Sequence, residues 1–322
     1  MELLAVLRAA EGEFISGRRL AEEAGLTRAA IWKQVEELRA RGYRIEAVPR
    51  RGYRLVAAPD IPYPEEIRHG LATDRLGRHA VYLPVIGSTN DEAKRLAAAG
   101  WPEGTLVIAE EQTAGRGRLG RSWHSPSGGL WFSLILRPGL PLSELGPLAI
   151  LAAVALRRAI LAETGLKVLI KWPNDLVFGE KKLAGILAEA GGELGRVEAV
   201  VLGIGLNVNQ GEEDFPPAIR SSATSLRLLC GREVRRVPLL RRFLFHCEEL
   251  YRQELSDPSR TYLEEAAAHS ATLGRRVRVV AGGTAVEGTA VRLDPDGALV
   301  VATAGGERRF FTGEVEALRA EG

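Results

Sequence analysis

The sequence predicts an α+β multidomain protein: an N-terminal winged helix-turn-helix over residues 1–58, a central mixed α/β domain over 65–270 and a small β-barrel over 271–322. Three successive patterns along the 322 residues support this division. Apolar residues first recur at helical spacing, then strand-like runs mix with long helical patterns, and finally short alternating strands follow one another between glycine-rich turns. A chain of this length exceeds one ordinary hydrophobic core.

The composition is that of a globular protein. Hydrophobic residues make up 46% and charged residues 26% of the chain, and the net charge is +2. These values exclude a disordered chain and a uniformly basic nucleic-acid coat, so any DNA contact must be local. With Cys230 and Cys247 as its only cysteines, the chain has no disulfide framework. The longest apolar stretch, residues 145–156, is too short to span a bilayer, and no signal peptide pattern begins the chain. We expect a cytoplasmic protein without membrane contact.

The N-terminal segment has the pattern of a helix-turn-helix. Gly25 can take the left-handed conformation that ends one helix, and Thr27 can cap a second helix that runs to about Arg41. Residues 43–55 then alternate like a hairpin with a basic tip. We predict DNA contacts from the start of the second helix and from the hairpin tip, through Thr27, Arg28, Lys33, Arg50 and Arg51. The alternative is a small bundle that mediates protein contacts only.

A proline-rich linker over residues 57–64 leads into the central segment. There we expect strands at residues 81–86, 105–110, 130–136, 168–171 and 197–203, and helices at 90–99, 142–163 and 239–255. After Thr272, four short strands are separated by turns rich in Gly and Asp. A barrel is the expected arrangement of these strands, because closure removes exposed sheet edges.

Residues 115–121 read Gly-Arg-Gly-Arg-Leu-Gly-Arg, a run that suits an anion-binding loop. Arg116, Arg118 and Arg121 supply fixed positive charge, and the glycines free the backbone. The run also fits the dinucleotide fingerprint G-x-G-x-x-G. However, Pro126 and the two glycines at 128 and 129 forbid the helix that this fingerprint requires, so we exclude a Rossmann site. A solvated flexible loop is the alternative.

Four clusters accompany this loop, and their residue types fit activation of a carboxylic acid by a nucleotide. Ser88-Thr89-Asn90 starts a predicted helix, where hydroxyls and free N–H groups could bind a small polar group, although taken alone the motif is a plain helix cap. Gln112, just before the loop, could add an amide. Residues 171–175, Lys-Trp-Pro-Asn-Asp, deliver an Asp that could orient or deprotonate an attacking amine, or simply form an Asn/Asp turn.

The other two clusters lie further along the chain. Lys182 stands among apolar residues and near Gly185, which permits close approach of a ligand. We predict that Lys182 anchors a carboxylate and a phosphate, because displacement at phosphorus accumulates negative charge. Residues 203–209, Gly-Ile-Gly-Leu-Asn-Val-Asn, would let a sheet lie flat against a ligand with Asn207 as its polar end, or would mark a β-bulge.

At these motifs the chain resembles the bifunctional biotin protein ligases that also repress biotin operons. The resemblance covers nearly the whole length, including Ala-Thr-Ser-Leu at 223–226 and the terminal Gly313-Glu314-Val315. It implies a biotin/lipoate-ligase-like catalytic domain, an SH3-like C-terminal barrel, and ATP and Mg²⁺ as cofactors. Biotin and ATP would give biotinyl-5′-AMP and pyrophosphate, and a lysine of a biotin carboxyl carrier protein would then attack the mixed anhydride. Operator DNA would be a further partner, and biotinyl-AMP would favour a homodimer.

The resemblance also assigns residues to roles. The catalytic residues would be Lys182, Arg118 and Asp175. Biotin would be held by Ser88, Thr89, Asn90, Gln112, Gly115, Arg116, Gly117, Arg118, Lys182, Gly185, Leu187 and Gly203. The adenylate would meet Arg118, Arg121, Trp123, Lys182, Asn207 and Arg319. Trp123 could instead be a packing residue, and no residue is assigned as a metal ligand.

Two other functions fit parts of the pattern. A lipoate or octanoate ligase of the same fold is disfavoured, because such enzymes lack this Arg-rich loop together with Lys-Trp-Pro-Asn-Asp and an N-terminal winged helix. A transcriptional regulator that only senses a metabolite is also disfavoured, because Lys182 and three loop arginines exceed what a neutral head group needs. For a ligase, we expect the loop to order over the adenylate and shield the anhydride from water.

Overall fold

In the computed structural model, which describes residues 3–139, 145–191, 199–256 and 259–318, the chain divides into two compact units, residues 1–61 and 62–322. The first unit contains three helices and one hairpin. Its elements are α1 (Leu3–Ala9), α2 (Gly17–Ala24), α3 (Arg28–Ala40), β1 (Arg44–Val48) and β2 (Gly52–Ala57).

The predicted helix-turn-helix is confirmed by its two caps. Gly25 adopts a φ of 68° at the end of α2, and the Thr27 hydroxyl accepts a hydrogen bond from the Ala30 N–H at the start of α3. The hairpin joins the helices through Ile15, which pairs with Tyr53 of β2 in both directions at 2.9 Å. Gly52 is required there, because its φ is 104° and a Cβ would lie 2.0 Å from the Ile15 carbonyl oxygen.

The second unit is built around a seven-stranded mixed sheet in the order β3-β4-β5-β9-β8-β7-β6. Its strands are β3 (Ala80–Ile86), β4 (Leu106–Gln112), β5 (Leu130–Leu136), β6 (Leu169–Lys171), β7 (Asp175–Phe178), β8 (Lys181–Gly191) and β9 (Ala199–Leu206). The first two strands are parallel and all other neighbours are antiparallel.

Helices cover both faces of this sheet. They are α4 (Pro64–Arg68), α5 (Thr89–Ala98), α6 (Leu145–Thr164), α7 (Pro217–Arg220), α8 (Leu226–Cys230), α9 (Arg236–Ser256) and α10 (Thr261–Ala268). On one face α6 packs against α9 and β8, and on the other α5 packs against β4, β5 and β9. Every residue of β5 is therefore buried, as expected for a strand that is apolar except at Ser133. No helix within the described ranges combines the length and apolarity that crossing a membrane requires.

The predicted central elements are confirmed in part. The first four predicted strands agree with β3, β4, β5 and β6 to within two residues, and the fifth overlaps β9. The helix predicted at 142–163 corresponds to α6, with residues 142–144 outside the described part. Two strands were missed, β7 and β8, because their residues carry the polar motifs that were interpreted as a turn and a ligand anchor.

The C-terminal strands form a five-stranded antiparallel sheet, and the predicted barrel is not confirmed. The strands are β10 (Arg276–Ala281), β11 (Thr284–Leu293), β12 (Leu299–Thr303), β13 (Gly306–Phe310) and β14 (Glu314–Ala317), in the order β13-β12-β11-β10-β14. Over residues 259–318 the sheet stays open, since β13 and β14 lie at opposite edges. Exposed charges on β13, at residues 307–309, protect that edge from further pairing without closure.

Trp172 attaches this sheet to the central one. Its backbone N–H donates to the Thr272 hydroxyl at 3.1 Å, and its buried indole N–H donates to the Gly297 carbonyl at 2.9 Å. The attachment brings residues 312–316 beside the loop of residues 115–121.

Candidate functional site

A cavity of about 450 Å³ in the second unit collects most of the predicted site residues. Among them, the residues that line it are Ser88, Thr89, Asn90, Gln112, Arg116, Gly117, Arg118, Arg121, Trp123, Asp175, Lys182, Gly185, Leu187, Gly203 and Asn207. Gly115 is buried behind the wall, where a Cβ would lie 2.5 Å from the Trp123 carbonyl oxygen. Arg319 lies outside the described residues. The structure thus brings together side chains from segments more than 100 residues apart.

The floor of the cavity is a row of paired residues across four neighbouring strands. Lys171 on β6 is paired with Asp175 on β7, Asp175 with Gly185 on β8, and Gly185 with Gly205 on β9. Directly paired residues project to the same face of a sheet, so all four face the cavity. We call these four residues the floor row.

The indole of Trp123 lies directly on the two glycines of the floor row. A Cβ at Gly205 would be 2.4 Å from the indole nitrogen, and one at Gly185 would be 3.1 Å from the ring edge. Side chains at these positions would displace the indole, which explains why both residues are glycine. The indole nitrogen is buried and has no hydrogen-bond partner in the described part of the chain. Trp123 is therefore a packing residue in this structure, but one with a polar group available inside the cavity.

Lys182 is held at the floor row by an ion pair and by its backbone. Its Nζ lies 2.8 Å from Asp175 Oδ2 and 5.2 Å from the centre of the Trp123 ring. Its backbone N–H donates to the Ser222 carbonyl, and its carbonyl accepts from the Thr224 N–H. The other carboxylate oxygen, Asp175 Oδ1, is buried without a partner among the described residues. Asp175 thus holds Lys182 with one oxygen, while its other oxygen makes no hydrogen bond within the described residues.

The loop of residues 115–121, which we call the Gly/Arg loop, is an irregular hairpin folded back on itself. The Gly117 N–H donates to the Arg121 carbonyl at 2.7 Å, and the Trp123 N–H donates to the Gly115 carbonyl at 2.8 Å. At the tip, Leu119 has a φ of 56° and is 73% exposed. Residues 121–129 form no helix, which agrees with the exclusion of a Rossmann site.

Each loop arginine reaches a different element. Arg116 pairs with Asp91 on α5, and this guanidinium lowers the pKa of the Asp91 carboxyl. Arg121 pairs with Glu314 on β14. Arg118 has neutral partners instead, Asn174 Oδ1 at 3.2 Å and the Thr312 hydroxyl. Its burial lowers the pKa of its guanidinium, so Arg118 carries a partly desolvated charge without a directly bonded carboxylate.

Thr89 and Gln112 form the polar end of the cavity. The Thr89 N–H and hydroxyl lie 2.8 Å and 3.1 Å from Gln112 Oε1, and the Gln112 amide donates to the Ser125 hydroxyl. Ser88 occupies the N-cap position of α5, yet its side chain makes no capping bond. Ser88 thus stands at the cap position, but its hydroxyl does not cap the helix.

Two residues that were predicted to contact the ligand make internal hydrogen bonds in the cavity wall instead. The Asn90 amide donates to Glu189 at 2.6 Å and packs under Gly203, where a Cβ would be 2.1 Å from Asn90 Oδ1. The Asn207 amide donates to the Thr224 carbonyl at 2.9 Å. Both asparagines therefore shape the cavity through internal hydrogen bonds.

Sequence reasoning missed Asn174 as a site residue. Its amide donates to the Ile186 carbonyl at 2.6 Å while its oxygen accepts from Arg118, so it ties the loop to the sheet. Asn174 was visible inside Lys-Trp-Pro-Asn-Asp, but the sequence carries no sign of its distant partners.

In the first unit, the predicted DNA-contacting residues lie at the solvent surface. Arg28 and Lys33 are exposed on α3, and Arg50 and Arg51 are exposed at the hairpin tip. Trp32, which the sequence reasoning did not select, lies among them and is 62% exposed. It extends an exposed stripe along the first turns of α3.

Comparison with known proteins gives consistent matches for all three segments. Residues 82–207 match the biotin/lipoate A/B protein ligase family, residues 1–54 an HTH domain and residues 272–317 a biotin protein ligase C-terminal domain. The bifunctional ligase/repressors BirA of Bacillus spizizenii and Bacillus subtilis are 40% identical over 319 residues, 98% of this chain and 97% of theirs. The Aquifex aeolicus biotin protein ligase in complex with biotin and ATP superposes with a TM-score of 0.66 at 30% identity, covering 76% of this chain and 100% of that one.

Proposed function

The chain belongs to the bifunctional ligase/repressor family, and we propose that its cavity forms biotinyl-5′-AMP and passes biotin to a carrier lysine. The chain is accordingly a biotin ligase and a repressor with an HTH domain. The observation that carries the assignment of the site is the Lys182–Asp175 pair on a glycine floor, enclosed by three arginines.

In the first step, the biotin carboxylate attacks the α-phosphorus of ATP and pyrophosphate leaves. We assign the ureido ring to the polar end at Ser88 and Thr89, where hydroxyls and a helix N-terminus offer donors and acceptors. Lys182 and Arg118 would offset the charge that accumulates at phosphorus. Trp123 would cover the adenylate, with Arg121 and Arg319 on the nucleotide side.

In the second step, the acceptor amine attacks the acyl carbon and AMP leaves. A lysine amine is protonated at neutral pH and must lose a proton before it attacks. Asp175 Oδ1 is the available carboxylate oxygen on the floor row, and we assign it to orient the amine and take its proton. The acceptor would be a biotin carboxyl carrier protein.

Mg²⁺ would enter with ATP. Within the described residues there is no group of three His, Cys, Asp or Glu side chains that could hold a metal ion. Mg²⁺ commonly keeps several waters and binds through substrate phosphates, so the phosphates of ATP would hold it. The ion would supply charge neutralisation at the phosphates.

For repression, we assign operator contacts to Thr27, Arg28, Lys33, Arg50 and Arg51. We further propose a homodimer on biotinyl-AMP binding, because two-fold symmetry would place two copies of α3 on a two-fold operator. Sedimentation with and without biotin and ATP tests the dimer, and an unchanged mass would refute it. A cytoplasmic location agrees with the free Cys230 and Cys247.

Incubation of the protein with ATP, Mg²⁺ and either biotin or lipoate tests the ligase assignment. We expect pyrophosphate and an acyl adenylate with biotin, and little with lipoate. Lipoate preference would indicate the related ligase activity, and no adenylate from either acid would indicate a regulator that only senses its ligand.

A further inference from the structure

We propose that Lys171 binds the pyrophosphate leaving group of the first step. This inference rests on the proposed two-step function and adds a residue that recognises the departing group.

Lys171 occupies the outer end of the floor row. It is the last residue of β6, the edge strand, and its pairing with Asp175 places it on the cavity face. It also lines the cavity. Neighbouring strands lie about 4.8 Å apart, so its backbone is roughly 10 Å from Gly185, two strands away. A lysine side chain and the two terminal phosphates of ATP can bridge that span when the α-phosphate lies at Lys182.

The charges around the cavity distinguish Lys171 from the other cations. Within the described residues, the Arg and Lys side chains that line it are Arg116, Arg118, Arg121, Lys171 and Lys182. Carboxylates hold Arg116, Arg121 and Lys182, and neutral side chains hold Arg118. Across the described ranges, Lys171 makes no hydrogen bond or ion pair through its ammonium group. An incoming anion would therefore meet a lysine that has no internal partner to release.

The first step creates a need for such a cation. The carboxylate oxygen forms a bond to the α-phosphorus, the bond to the bridging oxygen of pyrophosphate breaks, and that oxygen leaves with the electron pair. The adenylate keeps one phosphate, and the rest of the triphosphate's charge departs. A lysine ammonium is a compact charge with three donors, which suits phosphate oxygens. Because the second step contains no pyrophosphate, a residue that binds only this group affects one half-reaction alone.

The test separates the half-reactions in Lys171→Met and Lys171→Arg variants of the full chain. Lys181→Met is the matched control, because Lys181 is a lysine of the same sheet that is exposed and outside the cavity lining. Adenylation is measured as pyrophosphate formed from biotin and ATP, and its reversal as ATP formed from biotinyl-AMP and added pyrophosphate. Transfer is measured from supplied biotinyl-AMP to a carrier domain.

We expect Lys171→Met to slow adenylation and to raise the KM for pyrophosphate, each by about 10- to 100-fold, as the loss of a charged hydrogen bond predicts. Transfer should stay within about twofold, and Lys171→Arg should recover most of the pyrophosphate affinity. An unchanged KM for pyrophosphate would overturn the inference. A parallel loss in transfer would also overturn it, because a residue that binds only pyrophosphate affects adenylation alone.

The two proposals fail in different ways. If the unaltered protein makes no biotinyl-AMP, the proposed function fails and the role of Lys171 fails with it. If the unaltered protein makes biotinyl-AMP and Lys171→Met matches it in both directions of adenylation, only the assignment of Lys171 is wrong.

Discussion

Asp175→Asn should slow biotin transfer far more than adenylation. The amide keeps the shape of the side chain but removes the proton acceptor at Oδ1 and the ion pair to Lys182 at 2.8 Å. A positioned general base contributes about 10²- to 10⁴-fold, so transfer should fall by that factor. Lys182 keeps its backbone anchors to Ser222 and Thr224, and adenylation should therefore change by only a few-fold.

The stability cost of Asp175→Asn should be small. The Lys182 side chain is 40% exposed, so solvent screens the ion pair and its loss should cost no more than about 1 kcal/mol. The assay is single-turnover transfer from supplied biotinyl-AMP beside pyrophosphate release, with Glu180→Gln as a control at an exposed carboxylate on the same hairpin. Equal loss in both steps, or loss in adenylation alone, would refute the role of Asp175 as the base.

Three further predictions concern the loop, the fold and DNA. The Arg118→Gln variant should release biotinyl-AMP about tenfold or more faster than the parent, because the desolvated charge of Arg118 has only neutral bonded partners. Arg121→Gln should have a smaller effect, since Arg121 is already paired with Glu314. Stopped-flow measurement of the biotinyl-AMP dissociation rate tests both variants. Glu248→Gln should lower the free energy of unfolding by about 1.5–3 kcal/mol in urea titration, because Glu248 accepts from three consecutive backbone N–H groups. Trp32→Ala should weaken specific DNA binding with an unchanged salt slope, and equal binding would exclude a base contact.

The sequence predicted the parts of the fold that depend on residues close together in the chain, and it missed parts that depend on distant residues. The cap at Thr27, the left-handed Gly25 and the strand at residues 130–136 depend on neighbouring residues, and the sequence predicted all three. The floor row depends on register across four strands, and β7 with only four residues gives no periodic signal. Local composition also could not reveal that the small C-terminal sheet stays open, since charge on β13 protects its edge.

The candidate site shows the same division between residue type and arrangement. Motif chemistry predicted that Lys182 and Asp175 belong to the site, but the 2.8 Å contact between them arises from the pairing of β7 with β8. Similarly, the sequence shows three loop arginines of the same charge, and the structure gives them unequal partners. Arg116 and Arg121 already face carboxylates, so a phosphate must compete with Asp91 or Glu314 for them. Arg118 needs no such exchange, because a phosphate replaces only neutral acceptors. A charge buried with neutral partners gains more from an incoming anion than one already paired, and on this ground Arg118 should dominate the hold of the loop on the adenylate.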